Sequence, residues 1–140
     1  MTALIFYLLS FTWGLPTTLC GCLAALFAAL CRVPCERAGY CLHFRFGHGW
    51  GGFSLGVFIF TGREADKKIV WHEHGHGLQN CVFGPFMIFL VSVPSVVRYW
   101  YRRLKKDKTR LKPYDDIWFE GQATRMGQRQ RIFTALRKKG

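Results

Sequence analysis

Acidic side chains are scarce in this chain: eight Asp and Glu stand against twenty Lys and Arg in 140 residues, a formal charge of +12. A deficit of that size raises nucleic acid as a partner, but a base-stacking surface needs aromatic residues among the basic ones. Here the aromatics lie in apolar runs instead, so no nucleic acid partner is expected and anionic lipid headgroups are. Charge of either sign is missing altogether from Ala3 to Leu30. The basic start of an ordinary secretory signal is missing too, which sets a cleaved leader behind a membrane segment as the reading of that stretch. Paired CxxC spacings are absent among Cys20, Cys22, Cys31, Cys35, Cys41 and Cys81, which removes the usual cysteine metal site. Small buried hydrophobes are their expected role, and Cys31 with Cys35 is the one pair a helical turn apart. The glycine-rich run 47–52 lacks the Lys-Ser/Thr ending and the following helix of a phosphate loop.

What is present is apolar and basic at once. Half the residues are hydrophobic and 16% are aromatic, unlike either a disordered tail or an average soluble domain. One domain fits the length, and little of it is left for a water-soluble core if the apolar runs lie in lipid. Residues 1–31 read as a transmembrane helix kinked at Pro16, because 28 uncharged residues exceed what a hydrocarbon core of about 30 Å requires. Alternation over Tyr40–Phe46 and an apolar run over Phe53–Phe60, joined through the glycines, predict a small β-hairpin. A helix with Asp66 as N-cap follows over 66–80, and Gly75 within it predicts close approach of another backbone. The apolar stretch 81–97 is short for a span and is broken by Gly84-Pro85 and Pro94. Basic residues then crowd 98–112, and a basic helix is expected over 115–139.

His72-Glu73-His74-Gly75-His76 spells HExxH. On a helix, His72 and His76 stand one turn apart on one face and can share a metal ion, while Glu73 reaches a zinc-polarised water as general base. His74 points elsewhere around the helix and is expected to be structural; His43 and His48 have no spacing argument for the site. A catalytic Zn2+ wants a third protein ligand, a carboxylate or imidazole from elsewhere, with the fourth position open.

Downstream, Glu120-Gly121-Gln122-Ala123-Thr124-Arg125-Met126-Gly127 contains Glu-x-x-Ala-x-Arg-x-Gly. Together with HExGH this resembles the membrane gluzincins of the CAAX prenyl endopeptidase and HtpX heat-shock protease group. The HExGHxxQ run is also similar to small bacterial membrane proteins. The resemblance covers about thirteen positions. It implies His72, His76 and Glu120 as zinc ligands, Glu73 as general base, and Ala123 as a point of close helix packing. Thr124 departs from it, standing where that group has an aspartate that supports a ligand histidine. Asp115 and Asp116 are the fallback ligands. Tyr114 and Arg125 are candidate donors to a developing oxyanion, the first by its phenol and the second by its charge.

The expected fold is therefore a mainly α integral membrane protein with a small β-hairpin on a minimal zincin-like (gluzincin) helical core. Residues 32–140 form its metallopeptidase-like part. A full span over 81–97 would put His76 and Glu120 on opposite sides, so a re-entrant path is expected there. The basic stretch 98–112 then shares a side with the site, which by the positive-inside rule is the cytoplasmic face of a bacterial inner membrane. The function expected is hydrolysis of a peptide or protein substrate by a zinc-activated water, with the Phe53–Phe60 strand holding an extended substrate. The alternatives are a metal-stabilised membrane protein without chemistry, and a membrane adaptor working through its basic tail.

Overall fold

The computed structural model describes residues 1–104 and 117–137. The described part is mainly helical: α1 (Ala3–Phe11), α2 (Leu15–Leu30), α3 (Lys67–Phe83), α4 (Val93–Leu104) and α5 (Trp118–Arg137). Four short strands, β1 (Cys35–Ala38), β2 (Cys41–Arg45), β3 (Gly52–Leu55) and β4 (Phe58–Thr61), make one mixed sheet.

The charge-free N-terminal stretch is two helices, not one kinked helix. α1 and α2 meet at 93°, and among the described residues no single helix is long and apolar enough to cross a membrane. Pro16 explains the difference, because it lies in the first turn of α2, where a missing N–H costs nothing, and Gly14 caps that turn. The end of α3 clamps the corner: Asn80 Nδ2 donates to the Gly14 carbonyl at 3.3 Å and Trp13 Nε1 to the Val82 carbonyl at 3.3 Å.

The sheet also departs from a simple hairpin. Gly56, at φ 61°, reverses the chain inside the apolar run 53–60 and splits it into β3 and β4, which pair antiparallel. The 46–51 connection then carries the chain past the sheet, so that β2 meets β4 in parallel, Leu42 opposite Phe58. The polar exit of α2 contributes β1, antiparallel to β2, in the order β1-β2-β4-β3. Phe44, Phe58, Phe60 and Ile59 pack in the main core with Ala25 and Ala28 of α2 and Leu78 of α3. β3 is left as an edge.

Asp66 caps α3 as expected, accepting from the Ile69 N–H at 2.9 Å. After α3 the chain passes through a 3₁₀ turn holding Pro85 and a π turn over Ile88–Ser92 before α4. The helical runs before and after this break are bent by 118°. Met87 and Val91 of the break pack with Phe119 of α5. The C-terminal helix expected over 115–139 is α5; residues 115, 116, 138 and 139 lie outside the described residues.

α3 and α5 cross with their backbones in contact. A methyl group at Gly75 would run into the Ala123 carbonyl, and one at Gly127 into that of Trp71. The close approach that Gly75 predicts therefore occurs, and Ala123 is fully buried beneath it. Gly75→Ala and Gly127→Ala are each expected to destabilise the protein by about 2 kcal/mol or more, since backbone on both sides must move. Arg125→Ala, on the exposed side of α5, is expected to leave thermal unfolding unchanged; equal midpoints for all three variants would contradict this account of the crossing.

Candidate metal centre

The α3/α5 crossing sets the site. His72 and His76 stand one turn apart on α3 with their rings perpendicular and centroids 4.8 Å apart. Glu120, in the first turn of α5 and fully buried, places Oε2 at 3.0 Å from His72 Nε2 and 3.2 Å from His76 Nε2. The two Nε2 atoms are themselves 3.2 Å apart. Among the described residues these three side chains form the one His/Cys/Asp/Glu group disposed to hold a metal ion.

Outer contacts fix which ring nitrogen faces inward. Gln79 Nε2 donates to the Phe119 carbonyl at 2.7 Å and to Gln122 Oε1 at 2.8 Å, which turns Gln79 Oε1 toward His76 Nδ1 at 2.8 Å. His76 therefore carries its proton on Nδ1 and presents a lone pair at Nε2. Thr124 Oγ1 stands 2.8 Å from His72 Nδ1, and an Nδ1–H donated there leaves His72 Nε2 free in the same way. Ser95, at the start of α4, donates its hydroxyl to Glu120 Oε1 at 2.6 Å. One carboxylate oxygen is thus held from outside and the other is left facing the imidazoles.

Two imidazole lone pairs and a carboxylate oxygen within hydrogen-bond distance, on buried His76 and Glu120 and partly buried His72, repel one another unless a cation, either a shared proton or a metal ion, lies among them. Burial pushes the Glu120 carboxyl up, but the hydrogen bonds from His72, His76 and Ser95 outweigh it and hold Glu120 well below the usual carboxylate range. For His76 burial favours the neutral ring, and the neighbouring Glu120 and Glu73 overcome it to raise the pKa. The site wants positive charge, as a metal ion would supply.

Glu73 is buried beside the three donors but is not one of them. Burial pushes its carboxyl above the usual range against the pull of His76 and His72, and the Ser54 side chain bonds it. Its Cγ lies over Gly52 of β3, where a side chain would crowd it. His72, Glu73, Ser95 and Thr124 all line an open groove of about 950 Å³ between β3, α3, α4 and α5.

The remaining histidines serve the fold. His74 is buried against Phe6, Tyr40 and Trp71, accepts the Tyr40 N–H at 3.2 Å, and has its pKa lowered by burial to about 4. His43 bridges Glu36 and Thr61 within the sheet, and His48 pairs with Glu64 at the surface.

Arg125 does not reach the site. Five residues beyond Glu120 on one helix, it is turned about 140° around the axis and lies exposed, away from the groove. Tyr114, Asp115 and Asp116 lie outside the described residues. Ser95 and Ser54 join the site without having been singled out in the sequence, and Gln79, the last residue of HExGHxxQ, joins it without having been given a role there. Gln79 has a local signal, one turn after His76; Ser95 and Ser54 have none, because only the bend before α4 and the turn at Gly56 bring them there.

Comparison with protein-family models, with curated proteins and with solved structures finds no match to this chain. The chemistry of the site therefore rests on its geometry.

Supporting contacts of this kind contribute about 10- to 100-fold to metal affinity. Ser95→Ala and Thr124→Ala are each expected to weaken Zn2+ binding by about tenfold in competition with a chromogenic chelator, and His76→Ala to abolish it. Unchanged affinity in both single variants would mean that the two hydroxyls do not orient the ligands.

Proposed function

We propose that this protein is a membrane-bound zinc endopeptidase, with His72, His76 and Glu120 as ligands and Glu73 as general base. The observation that carries the reading is the triangle of donor atoms, 3.0, 3.2 and 3.2 Å on its edges. Ligands about 2.0–2.1 Å from a tetrahedral ion stand about 3.3 Å from each other, close to what these side chains already adopt. The motif resemblance to membrane gluzincins supports the same assignment. Zn2+ held there supplies Lewis-acid polarisation of a scissile carbonyl and of a water.

Everything else comes from the chain. Glu73, with its pKa raised by burial, takes a proton from water and returns it to the leaving amine; a base of raised pKa is better matched to neutral pH. Ser54 holds that carboxylate in place. Gly52 leaves room for it at the groove. β3, not the whole 53–60 run, is the edge that an extended substrate can join, since β4 is already paired on both sides. Loss of Arg125 from the site leaves Tyr114 as the sequence's own candidate for an oxyanion donor. A non-catalytic, metal-clamped protein would use the same ligands but has no use for a buried carboxylate standing outside the donor set.

The membrane part of the proposal rests on apolar side chains left bare. Leu4, Leu23, Leu30 and Phe89 are 79, 71, 75 and 72% exposed, an arrangement water disfavours and lipid accepts. Two bent helix pairs have the length and composition to enter a bilayer together. We place α1, α2 and the 81–97 segment in a bacterial inner membrane. The metal site and the basic stretch 98–112, of which 105–112 lie outside the described residues, then face anionic headgroups on the cytoplasmic side.

Glu73→Gln is expected to keep its zinc and to lose peptide hydrolysis by about 10²-fold or more. Newly cleaved protein termini compared between cells carrying wild type and the variant provide the measurement, with metal analysis of both proteins alongside. Identical termini would sink the peptidase reading even if zinc is present. For topology, single cysteines at positions 66 and 103, in a background without the native cysteines, are both expected to react with an impermeant reagent from the cytoplasmic side. Labelling from opposite sides would rule out the proposed placement.

A further inference from the structure

α4 presents two different faces. Over Val93–Leu104 it carries Arg98, Arg102 and Arg103 with no acidic residue, and none of its twelve residues is buried. At about 100° per residue, Val93, Val97 and Leu104 fall within about 40° of one another around the helix, with Trp100 and Tyr101 to either side. All five are exposed. Ser95 lies about 160–180° from that stripe, on the side turned to the protein. There its hydroxyl donates to Glu120 Oε1 at 2.6 Å, and Val96 and Tyr99 beside it line the groove.

Charge and composition say what covers the stripe. Arg98 and Arg103 stand about 100–120° to either side of it, the pattern of a helix lying in a membrane surface, where long cationic side chains reach anionic headgroups. Trp100 and Tyr101 are side chains that favour that depth. The stripe also follows directly in the chain on Phe89 and Leu90, which are exposed in the segment placed in lipid above. A second copy of this chain, itself at +12, matches the arginines poorly.

We propose that this face of α4 docks on an anionic bilayer surface and that docking holds Ser95 on Glu120, so that anionic lipid tightens the metal centre. This rests on reading His72, His76 and Glu120 as a metal centre, and it adds a regulation which that reading lacks. The route is short. Ser95 fixes Oε1 of Glu120 and so leaves Oε2 facing the two imidazoles. When α4 lifts from the surface the hydroxyl leaves with it, and the carboxylate loses the contact that orients it. By linkage the converse holds, and a bound metal ion seats α4 more firmly on the lipid.

The full chain in nanodiscs of phosphatidylcholine, alone or mixed with phosphatidylglycerol, tests the coupling by chelator competition for Zn2+. An anionic surface also concentrates Zn2+ beside itself, so the readout is the ratio of affinities between wild type and Ser95→Ala in each lipid, which cancels that effect. Wild type is expected to bind about tenfold more tightly than Ser95→Ala in the mixed discs, and this ratio is expected to fall severalfold in phosphatidylcholine alone. Two pairs of substitutions at unburied positions, Arg98→Gln with Arg103→Gln and Val97→Gln with Leu104→Gln, are introduced into both proteins. Each pair is expected to bring the ratio in mixed discs down to its phosphatidylcholine value with circular dichroism unchanged. A nitrobenzoxadiazole label on Tyr101→Cys, in the background without the native cysteines, is expected to shift its emission to the blue in mixed discs and further when zinc is added. A label that stays in water in both discs overturns the docking. One ratio in both lipids overturns the coupling, as does a ratio that follows protein concentration instead of anionic lipid, which assigns the stripe to a second copy. Zinc bound with an unvarying ratio leaves the metal centre standing and removes only its regulation; no zinc in any lipid overturns the metal reading and this proposal together.

Discussion

Where the Ala123 carbonyl occupies the space a side chain would need at residue 75, and the Trp71 carbonyl the space at residue 127, two helix backbones touch. That contact determines nearly everything else about the site. Side chains of ordinary length on helices 8–10 Å apart would leave Glu120 too far from His72 and His76 to share anything with them. With glycine at both crossing points the helices close up, and Oε2 of Glu120 comes within 3.2 Å of both imidazoles. The crossing also carries the outer contacts. Thr124 sits one turn beyond Glu120, opposite His72, and Gln79 reaches across to the Phe119 carbonyl and Gln122. Glycine costs a helix about 1 kcal/mol of propensity relative to alanine, and here that cost is offset by the packing it permits.

Such proximity is costly in the absence of a cation. Glu120 is buried with one oxygen bound by Ser95 and the other facing the two imidazoles, and His76 is drawn toward its protonated form by the carboxylates beside it. Protons and metal ions compete for the same place, so metal binding at this centre releases protons and weakens as acid protonates the imidazoles. Thr124 bears on that competition. An aspartate in its place would add negative charge next to His72 and strengthen either cation; a hydroxyl orients the ring without adding to the charge. The centre is thus held by geometry more than by charge outside its ligands.

The short-range parts of this arrangement are legible in the sequence and the long-range parts are not. HExxH fixes the relation of His72, Glu73 and His76 because helical periodicity alone does so, and Gly75 announces a close neighbour because nothing else favours glycine in mid-helix. Glu120 can be picked out through the motif around it. The pairing of β2 with β4 cannot: a reversal at Gly56 inside an apolar run looks like a continuous strand until tertiary contacts decide the register. The N-terminal stretch misleads for a related reason. Hydropathy reports that 28 residues avoid charge, but not that Gly14 and Pro16 turn a helix through 93°, because Asn80 and Trp13, which secure the corner, act across the fold. Arg125 shows the limit of motif reasoning, since its place in the pattern says nothing of the direction its side chain takes.

Segment 81–97 ties these two scales together. A straight helix over it would carry the chain away from His76 and would reach only about 26 Å, short of a hydrocarbon core. Between the 3₁₀ turn holding Pro85 and the π turn the path instead bends by 118° and returns to the site, where Ser95 binds Glu120. Each irregular turn still needs its backbone groups satisfied, and in lipid only protein can do so. Met87 and Val91 lie against Phe119, the residue before Glu120, so that this face of the segment is covered by protein. On the proposed placement, the packing that lets this segment dip into the membrane is the same packing that seats the third ligand. A substitution that loosened the segment would then disturb the proposed metal centre without touching any ligand, and the depth to which the chain entered the bilayer would be tied to the geometry of that centre.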